Sequence, residues 1–265
     1  MQTTVGDVVV HHVEHGEGAP VLVLHGAGVD HREVEACVEP ALHAYGGLRR
    51  IYPDLPGTGR TSAPLSLQSA DDVLDVLCGF VDAVAGREPV LVVGHSVGGY
   101  FGLGLATRRP DRVAGLALLC PLLADVHDVG EHTPVVAADD IGDDGFRGYF
   151  VVQTAAMLER YERLVAPALA LVDVAAAERI GSRWQLDGLD GPPYDGPVLV
   201  VAGRQDSVVG HAAAVDLLGR HRGATLAVLD RAGHALPHEQ PELLAALLGE
   251  WVDRVRPGPP PARDR

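Results

Sequence analysis

The chain has 265 residues, of which 47% are hydrophobic, and its formal net charge is −15. This length suits one α/β domain that carries an insertion, and the hydrophobic content is sufficient for a large core. The negative charge disfavours nucleic acid and anionic membranes as partners. Three cysteines, Cys37, Cys78 and Cys120, are odd in number and far apart, which argues against a disulfide framework or a zinc knuckle. We interpret them as small core residues.

Short apolar runs alternate with helical patterns along most of the chain. Strands are predicted over residues 8–10, 21–24, 49–52, 90–93, 113–119, 198–201 and 226–229. Helices are predicted over 34–42, from Ser69 to 84, over 99–106 and over 241–255, where apolar residues recur with helical spacing. Strands that are apolar on both faces and separated by helices predict a parallel sheet that is covered on both sides.

The interval 125–195 interrupts this alternation. It contains an acidic, glycine-rich loop at 139–145 and helix-rich sequence at 146–171 and 175–180. We therefore predict a core formed by 1–124 and 196–256, a helical cap insertion at 125–195, and a disordered tail at 257–265.

The start of the chain bears on localisation. The first 20 residues contain no Lys or Arg and no long apolar segment, which is unlike a secretory signal. We expect a cytoplasmic monomer or homodimer that acts on a small molecule and does not associate with membranes.

The segment Gly94-His95-Ser96-Val97-Gly98 follows one of the predicted strands and precedes a helical stretch of small residues. This is the G-x-S-x-G pattern in its strand, turn, helix setting. The turn is tight, and the glycines relieve its crowding, so that the serine hydroxyl stands clear of the backbone. The pattern predicts Ser96 as a nucleophile.

A serine nucleophile needs a base and a carboxylate that orients the base. In a doubly wound sheet these groups come from loops at the carboxyl ends of strands. His234 and Asp206 each lie in a loop that follows a predicted strand, and the order Ser96, Asp206, His234 suits this architecture. Asp125, which follows the strand ending at 119, and Asp230 remain rival acids.

The oxyanion hole is expected to consist of backbone N–H groups. One donor is Val97, at the start of the helix that follows the serine, and the other is Ala27, in the turn 25–28. This chemistry needs no cofactor. We interpret His25 and His95 as hydrogen-bonded structural residues, and we do not interpret His11, His12 and His15 as a metal site.

Substrate choice is expected to depend on the insertion, whose aromatic and long side chains are able to line a pocket above Ser96. The candidates are Phe146, Tyr149, Gln153, Met157 and Trp184. Each also has a competing interpretation as a residue that packs within the cap. A mostly apolar pocket suits a neutral ester, lactone or small ketone, whereas Arg147 or Arg183 would suit a carboxylate.

Together these segments resemble the α/β-hydrolase superfamily, in its serine-nucleophile branch with a helical cap. The matching segments, in the order of the superfamily, are 24–28, 54–61, 94–99, 203–206 and 232–234. The resemblance implies a mostly parallel eight-stranded sheet with an antiparallel first hairpin, helices on both faces, and a cap after the sixth strand. It also implies that Ser96 is the nucleophile, His234 the base, Asp206 the acid, and Ala27 and Val97 the oxyanion donors.

The resemblance is less specific for the reaction. Ser96 stands where the epoxide hydrolase and haloalkane dehalogenase branches carry aspartate. The loop of His234 lacks the tryptophan that often follows the histidine in carbon–carbon bond hydrolases of aromatic ring-fission products. We therefore expect a serine esterase-like hydrolase that cleaves a small, largely apolar ester or lactone. A carbon–carbon bond hydrolase or lyase, and a ligand-binding protein without turnover, are the alternatives.

Overall fold

A computed structural model describes residues 1–137 and 141–256 of the chain. Its strands are β1 (Gln2–Val5), β2 (Val8–His15), β3 (Ala19–Leu24), β4 (Leu48–Pro53), β5 (Val90–His95), β6 (Val113–Leu119), β7 (Val198–Gly203) and β8 (Ala224–Leu229). Its helices are α1 (His31–His43), α2 (Ala70–Ala85), α3 (Val97–Arg108), α4 (Asp144–Tyr149), α5 (Ala155–Arg160), α6 (Ala166–Leu169), α7 (Val174–Gly181), α8 (Ala212–Arg220), α9 (Leu236–Glu239) and α10 (Pro241–Val255). A short 3₁₀ turn spans Pro110–Arg112, and a π-helical segment spans Tyr161–Val165.

The strands form one sheet in the order β1-β2-β4-β3-β5-β6-β7-β8. The pairs β1–β2 and β2–β4 are antiparallel, and every other pair is parallel. The mostly parallel eight-stranded sheet that the resemblance implied is thereby confirmed. Strand β1 was not predicted, because this half-exposed edge strand has no apolar run.

The sheet is buried on both faces, which explains its continuous apolar strands. In β3, Leu22 and Leu24 join the apolar cluster on one face, while Val21 and Val23 join the cluster on the other. Helices α2 and α3 cover the first face, and α1 and α10 cover the second. Side chains alternate along a strand, so two covered faces require apolar residues at every position.

Capping residues fix where the main helices begin. The Ser69 side chain accepts a hydrogen bond from the Asp72 amide and caps α2 at the predicted start of this helix. Asp30 caps α1 in the same way, so this helix begins three residues before the predicted start at 34. The insertion departs further from expectation, because its helix-rich stretch is broken into short pieces. Thr154 starts a new helix at Ala155, and Pro167 lies in the first turn of α6.

The helices between β6 and β7 enclose a small apolar cluster centred on Phe146, Phe150 and Tyr161. The predicted division into core and cap remains a prediction, and its acidic residues 139–140 and the tail 257–265 lie outside the described residues. No helix in the described part of the chain combines the length and apolar character needed to cross a bilayer. Cys37 and Cys120 are buried, Cys78 is half-buried, and all three are free thiols.

Candidate active site

The turn between β5 and α3 holds Ser96 in a conformation that side chains rarely adopt. Its backbone dihedrals are φ 54° and ψ −119°, in a region that normally favours glycine. The turn closes only because its flanking positions lack a Cβ. A Cβ at Gly94 would overlap the Gly98 carbonyl, and a Cβ at Gly98 would overlap the Leu24 carbonyl. The strain lifts the serine hydroxyl above the carboxyl edge of the sheet.

Two further parallel strands bring the predicted base and acid to this edge. His234 Nε2 lies 2.9 Å from Ser96 Oγ, and His234 Nδ1 lies 2.8 Å from Asp206 Oδ2. Because the carboxylate only accepts, Nδ1 carries the hydrogen, and Nε2 is left to accept from the serine hydroxyl. Of the three acid candidates, Asp206 contacts the imidazole, while Asp125 and Asp230 are exposed.

Asp206 is buried and fully hydrogen-bonded. Its second oxygen accepts from the amides of Val208 at 2.9 Å and Val209 at 3.0 Å. Burial raises the pKa of Asp206, but the hydrogen bond and charge of His234, with these amides, outweigh it and leave the pKa below its ordinary value. The carboxylate is therefore ionised and able to stabilise a positive charge on His234.

The two predicted oxyanion donors lie beside the serine. Val97 is the first residue of α3, where amides have no partner within the helix, and Ala27 follows the end of β3. Within the described residues, neither amide donates a backbone hydrogen bond outside regular helices and strands. Both residues line one cavity, and Ala27 also lines the adjoining cavity that contains Ser96.

A second layer of polar side chains lies behind His234. From the sequence we interpreted its member His95 as a hydrogen-bonded structural residue, but the sequence did not indicate Glu33 or Glu239. His95 Nε2 donates to the backbone carbonyl of His234 at 3.0 Å. The Glu33 carboxylate is fully buried and accepts from His238 Nε2 at 2.9 Å and from the Tyr149 hydroxyl at 3.3 Å. Burial raises the pKa of Glu33, but the charge of His95 and the hydrogen bond from His238 hold it well below its ordinary range. An ionised and fully buried carboxylate therefore lies behind His234.

Another carboxylate of this layer, Glu239, holds the loop of the base. Its Oε2 accepts from the Gly233 amide at 2.7 Å, one residue before His234. Its Oε1 accepts from the amides of Val151 at 2.7 Å and Val152 at 3.0 Å. Val151 and Val152 lie 88 and 87 positions from Glu239 along the chain, so no local sequence pattern could have indicated this contact.

Two groups in the described residues bring three possible metal ligands together. His11 and His31 flank Asp54, with ligand atoms within 4.8 Å of one another. Each nitrogen already bonds one Asp54 oxygen, at 3.1 and 2.7 Å, so this cluster is satisfied as a hydrogen-bond network. Cys120 lies beside the acid and base, but burial and the Asp206 charge raise its thiol pKa well above the ordinary value. A thiol held protonated is a poor ligand.

Two cavities meet at the turn that follows β3. One, of about 300 Å³, is lined by Ser96, His234 and the insertion residues Tyr149 and Tyr161. The other, of about 200 Å³, lies on the Val97 side. Its wall combines residues 55–58 with α2, α3 and the insertion. Gly26 and Ala27 belong to both walls, so the cavities adjoin at the candidate oxyanion hole.

The five predicted pocket residues divide between these cavities and the protein interior. Tyr149 lines the cavity of Ser96, and Trp184 lines the neighbouring one. Among the residues that the structure describes, Phe146, Gln153 and Met157 belong to neither wall. Phe146 is fully buried in the insertion cluster, Met157 packs against it, and Gln153 donates to the carbonyls of residues 147 and 150. The sequence did not indicate the wall residues 55–58 as part of the pocket.

The comparisons with known proteins agree with this architecture. The chain is 27% identical over 268 residues to 2-hydroxy-6-oxo-6-(2'-aminophenyl)hexa-2,4-dienoic acid hydrolase of Metapseudomonas resinovorans, a match that covers 94% of this chain and 89% of that protein. It is 28% identical over 261 residues to pimeloyl-[acyl-carrier protein] methyl ester esterase of Neisseria meningitidis serogroup A, covering 89% and 77%.

A solved structure has the same fold as this chain. An alpha/beta superfamily hydrolase from Oenococcus oeni PSU-1 superposes with a TM-score of 0.87 at 25% identity, covering 96% of this chain and 99% of that one. A sequence model described as the alpha/beta hydrolase family matches residues 21–247, which span the loops of Asp206 and His234 and the turn of Ser96, here called the elbow. On this match and this sheet, the chain belongs to the alpha/beta hydrolase family.

Proposed function

We propose that this protein is a serine hydrolase that cleaves small, largely apolar esters or lactones through an acyl-serine intermediate. One observation carries the proposal. The Ser96 hydroxyl lies 2.9 Å from an imidazole whose other nitrogen lies 2.8 Å from a buried carboxylate. This is the arrangement in which a histidine removes the proton of an attacking serine.

In the first half of the reaction, Ser96 Oγ attacks the substrate carbonyl carbon while His234 Nε2 accepts its proton. The carbonyl oxygen becomes an oxyanion that accepts hydrogen bonds from the amides of Ala27 and Val97. Removing one such donor typically raises the barrier by about 3 kcal/mol. When the tetrahedral intermediate collapses, the bond to the leaving oxygen breaks, and His234 gives that oxygen its proton.

In the second half, water replaces the leaving alcohol. His234 accepts a proton from the water as it attacks the acyl carbon, and the same oxyanion donors are used again. Collapse breaks the bond to Ser96 Oγ, which regains its proton from His234. Asp206 keeps the hydrogen on Nδ1 throughout and stabilises the imidazolium in both halves. The proposed steps use only these groups and the water.

The walls of the two cavities support a neutral substrate. The leaving group must lie beside His234, which lines the larger cavity, so we place the acyl chain in the cavity on the Val97 side. The side chains on that wall include Leu55, Val73, Phe101 and Ile180. Among the described residues of both walls, none is an arginine. An apolar acyl group is therefore the chemistry that these walls bind best.

The second candidate function is cleavage of a carbon–carbon bond by the same triad. It is favoured by the similarity to a hydrolase whose name gives a dienoic acid as its substrate. That substrate carries a carboxylate. Arg147, one of the predicted carboxylate ligands, instead donates to the Gly142 carbonyl at 2.5 Å and to Asp144 at 2.7 Å. Ester hydrolysis therefore fits the described walls better.

The proposal is tested by p-nitrophenyl esters of increasing acyl length, assayed on the wild type and on Ser96→Ala. We expect hydrolysis by the wild type and a loss of kcat on the order of 10⁶-fold in the variant. Ser66→Ala is the matched control, because this exposed serine bonds only Asp7 in the described structure. Hydrolysis by the Ser96→Ala variant at a rate near that of the control would refute the triad. Turnover of a ring-fission diketone, without turnover of any ester, would favour the second candidate.

A further inference from the structure

Glu239 is a buried carboxylate whose three hydrogen bonds join two distant parts of the chain. It ends α9 and is 9% exposed. One oxygen accepts from the amide of Gly233, and the other accepts from the amides of Val151 and Val152. Gly233 precedes the proposed base, whereas the two valines belong to the insertion. One side chain therefore bridges the loop of the base and the insertion that covers the site.

The bridge coincides with a direct contact between the same two segments. A Cβ at Gly233 would approach Val151 Cγ1 to 2.8 Å, so the loop and the insertion pack closely here. Within the insertion, the Val135 amide donates to the Val151 carbonyl at 2.8 Å, so Val151 is also tied to a second segment of the insertion. Movement of the insertion at Val151 must therefore either break the bonds to Glu239 or displace the loop of His234.

Backbone amides are the main groups that stabilise the negative charge of Glu239. Burial raises its pKa above the ordinary value, although its three amide hydrogen bonds and the charge of His238 act in the opposite direction. The charge of Glu239 is also one of the causes that raise the pKa of the Cys120 thiol. A buried carboxylate needs such partners, because an unpaired donor or acceptor away from water is costly.

We propose that Glu239 is a positioning residue that sets the place of the catalytic imidazole by clamping the loop of His234 to the insertion. The inference rests on the proposed function, in which His234 is the base. It does not require Glu239 to contact the substrate. If the clamp holds, loosening it disturbs the alignment of Nε2 with Ser96 more than it disturbs substrate binding.

Glu239→Gln is the informative variant. An amide has one accepting oxygen, so it satisfies either Gly233 or the two valines, but not both sides. We expect kcat to fall by between roughly 10- and 100-fold, because small misplacements of a catalytic group have effects of this size, while KM changes less. Amide hydrogen exchange should become about tenfold faster on the side that loses its acceptor.

Glu242→Gln is the matched control. Glu242 is exposed, lies three positions further along the chain, and undergoes the same chemical change. We expect its kcat and its exchange rates at Gly233, Val151 and Val152 to remain those of the wild type. A Glu239→Gln variant that folds and keeps kcat within about twofold of this control would overturn the proposal.

A measurement on the unmodified protein keeps the proposal testable if that variant does not fold. In an acid titration followed by NMR, the carboxyl carbon of Glu239 and the three amide protons should move with one midpoint. Amide resonances that do not follow Glu239 would overturn the clamp. This titration requires no substrate, so a clamp without ester hydrolysis would contradict the proposed function alone. Ester hydrolysis without the shared midpoint would contradict the clamp alone.

Discussion

Replacing Asp54 with asparagine should destabilise the fold strongly and with a defined pH dependence. Asp54 Oδ1 accepts from the His31 amide at 3.0 Å and from His31 Nδ1 at 2.7 Å. Oδ2 accepts from the Arg60 amide at 2.9 Å and from His11 Nδ1 at 3.1 Å. Asparagine leaves one pair of donors facing an NH₂ group. Hydrogen bonds to a buried charge contribute about 1.5–3 kcal/mol each, so we expect a loss of roughly 3–5 kcal/mol.

The pH dependence follows from the pKa shifts of Asp54 and His31. Burial raises the pKa of Asp54, but the bonds from His31 and Arg60 place it far below the ordinary value. The stabilisation that the Asp54 carboxylate contributes is therefore complete above about pH 4 and is lost as the pH falls through its pKa in the folded state. Burial lowers the pKa of His31, but the hydrogen bond and the charge of Asp54 raise it by more, so the net shift is upward. The stabilisation that His31 contributes is therefore complete below about pH 6.5 and is lost as the pH rises through the raised pKa.

The difference in the free energy of unfolding between the wild type and Asp54→Asn should thus be largest between about pH 4 and 6.5 and smaller at about pH 9. Urea denaturation followed by circular dichroism at these pH values measures it. Asp7→Asn, at an exposed carboxylate that accepts from Ser66 at 2.8 Å, should change stability by less than about 0.5 kcal/mol. A difference that is under about 1 kcal/mol, or constant from pH 5.5 to 9, would refute this reasoning.

Two further predictions concern the proposed acid, Asp206, and the cavity on the Val97 side. Asp206→Asn should lower kcat by about 10⁴-fold in an ester assay, because the amide favours the wrong imidazole tautomer. The control Asp230→Asn should keep the kcat of the wild type. Equal kcat values for the two variants would refute the assignment of Asp206 as the acid. Ala177→Phe narrows the cavity on the Val97 side, so kcat/KM for long acyl chains should fall relative to acetate. Ala175→Phe is the control, because Ala175 lies on the same helix but does not line that cavity. Equal losses of kcat/KM for all chain lengths in both variants would contradict the assignment of this cavity to the acyl chain.

The sheet and the elbow were predictable because their signals are local. An apolar run such as 90–93 specifies a strand that is buried on both faces, and the glycines around Ser96 specify a turn that only small residues permit. The positions of the proposed base and acid were predicted from one geometric rule, that parallel strands end at the same edge of a sheet. In the structure, His234 lies within hydrogen-bond distance of both Ser96 and Asp206, as predicted.

The insertion and the polar layer behind the base were much less predictable. Phe146 and Tyr149 lie on one short helix and have similar character, yet one is fully buried in the insertion and the other faces the cavity of Ser96. Which of them faces the substrate depends on how a short helix packs, and no periodicity in six residues determines that. Glu239 gave no signal either, because all of its partners are backbone amides, which every sequence contains.

The central claim is that Ser96 is an activated nucleophile, and covalent labelling tests it most directly. The folded protein would be treated with a fluorophosphonate, digested, and mapped by mass spectrometry. We predict a single modified site at Ser96, with labelling greatly slowed in Asp206→Asn. Modification at another residue instead, or none in a folded sample, would contradict the account.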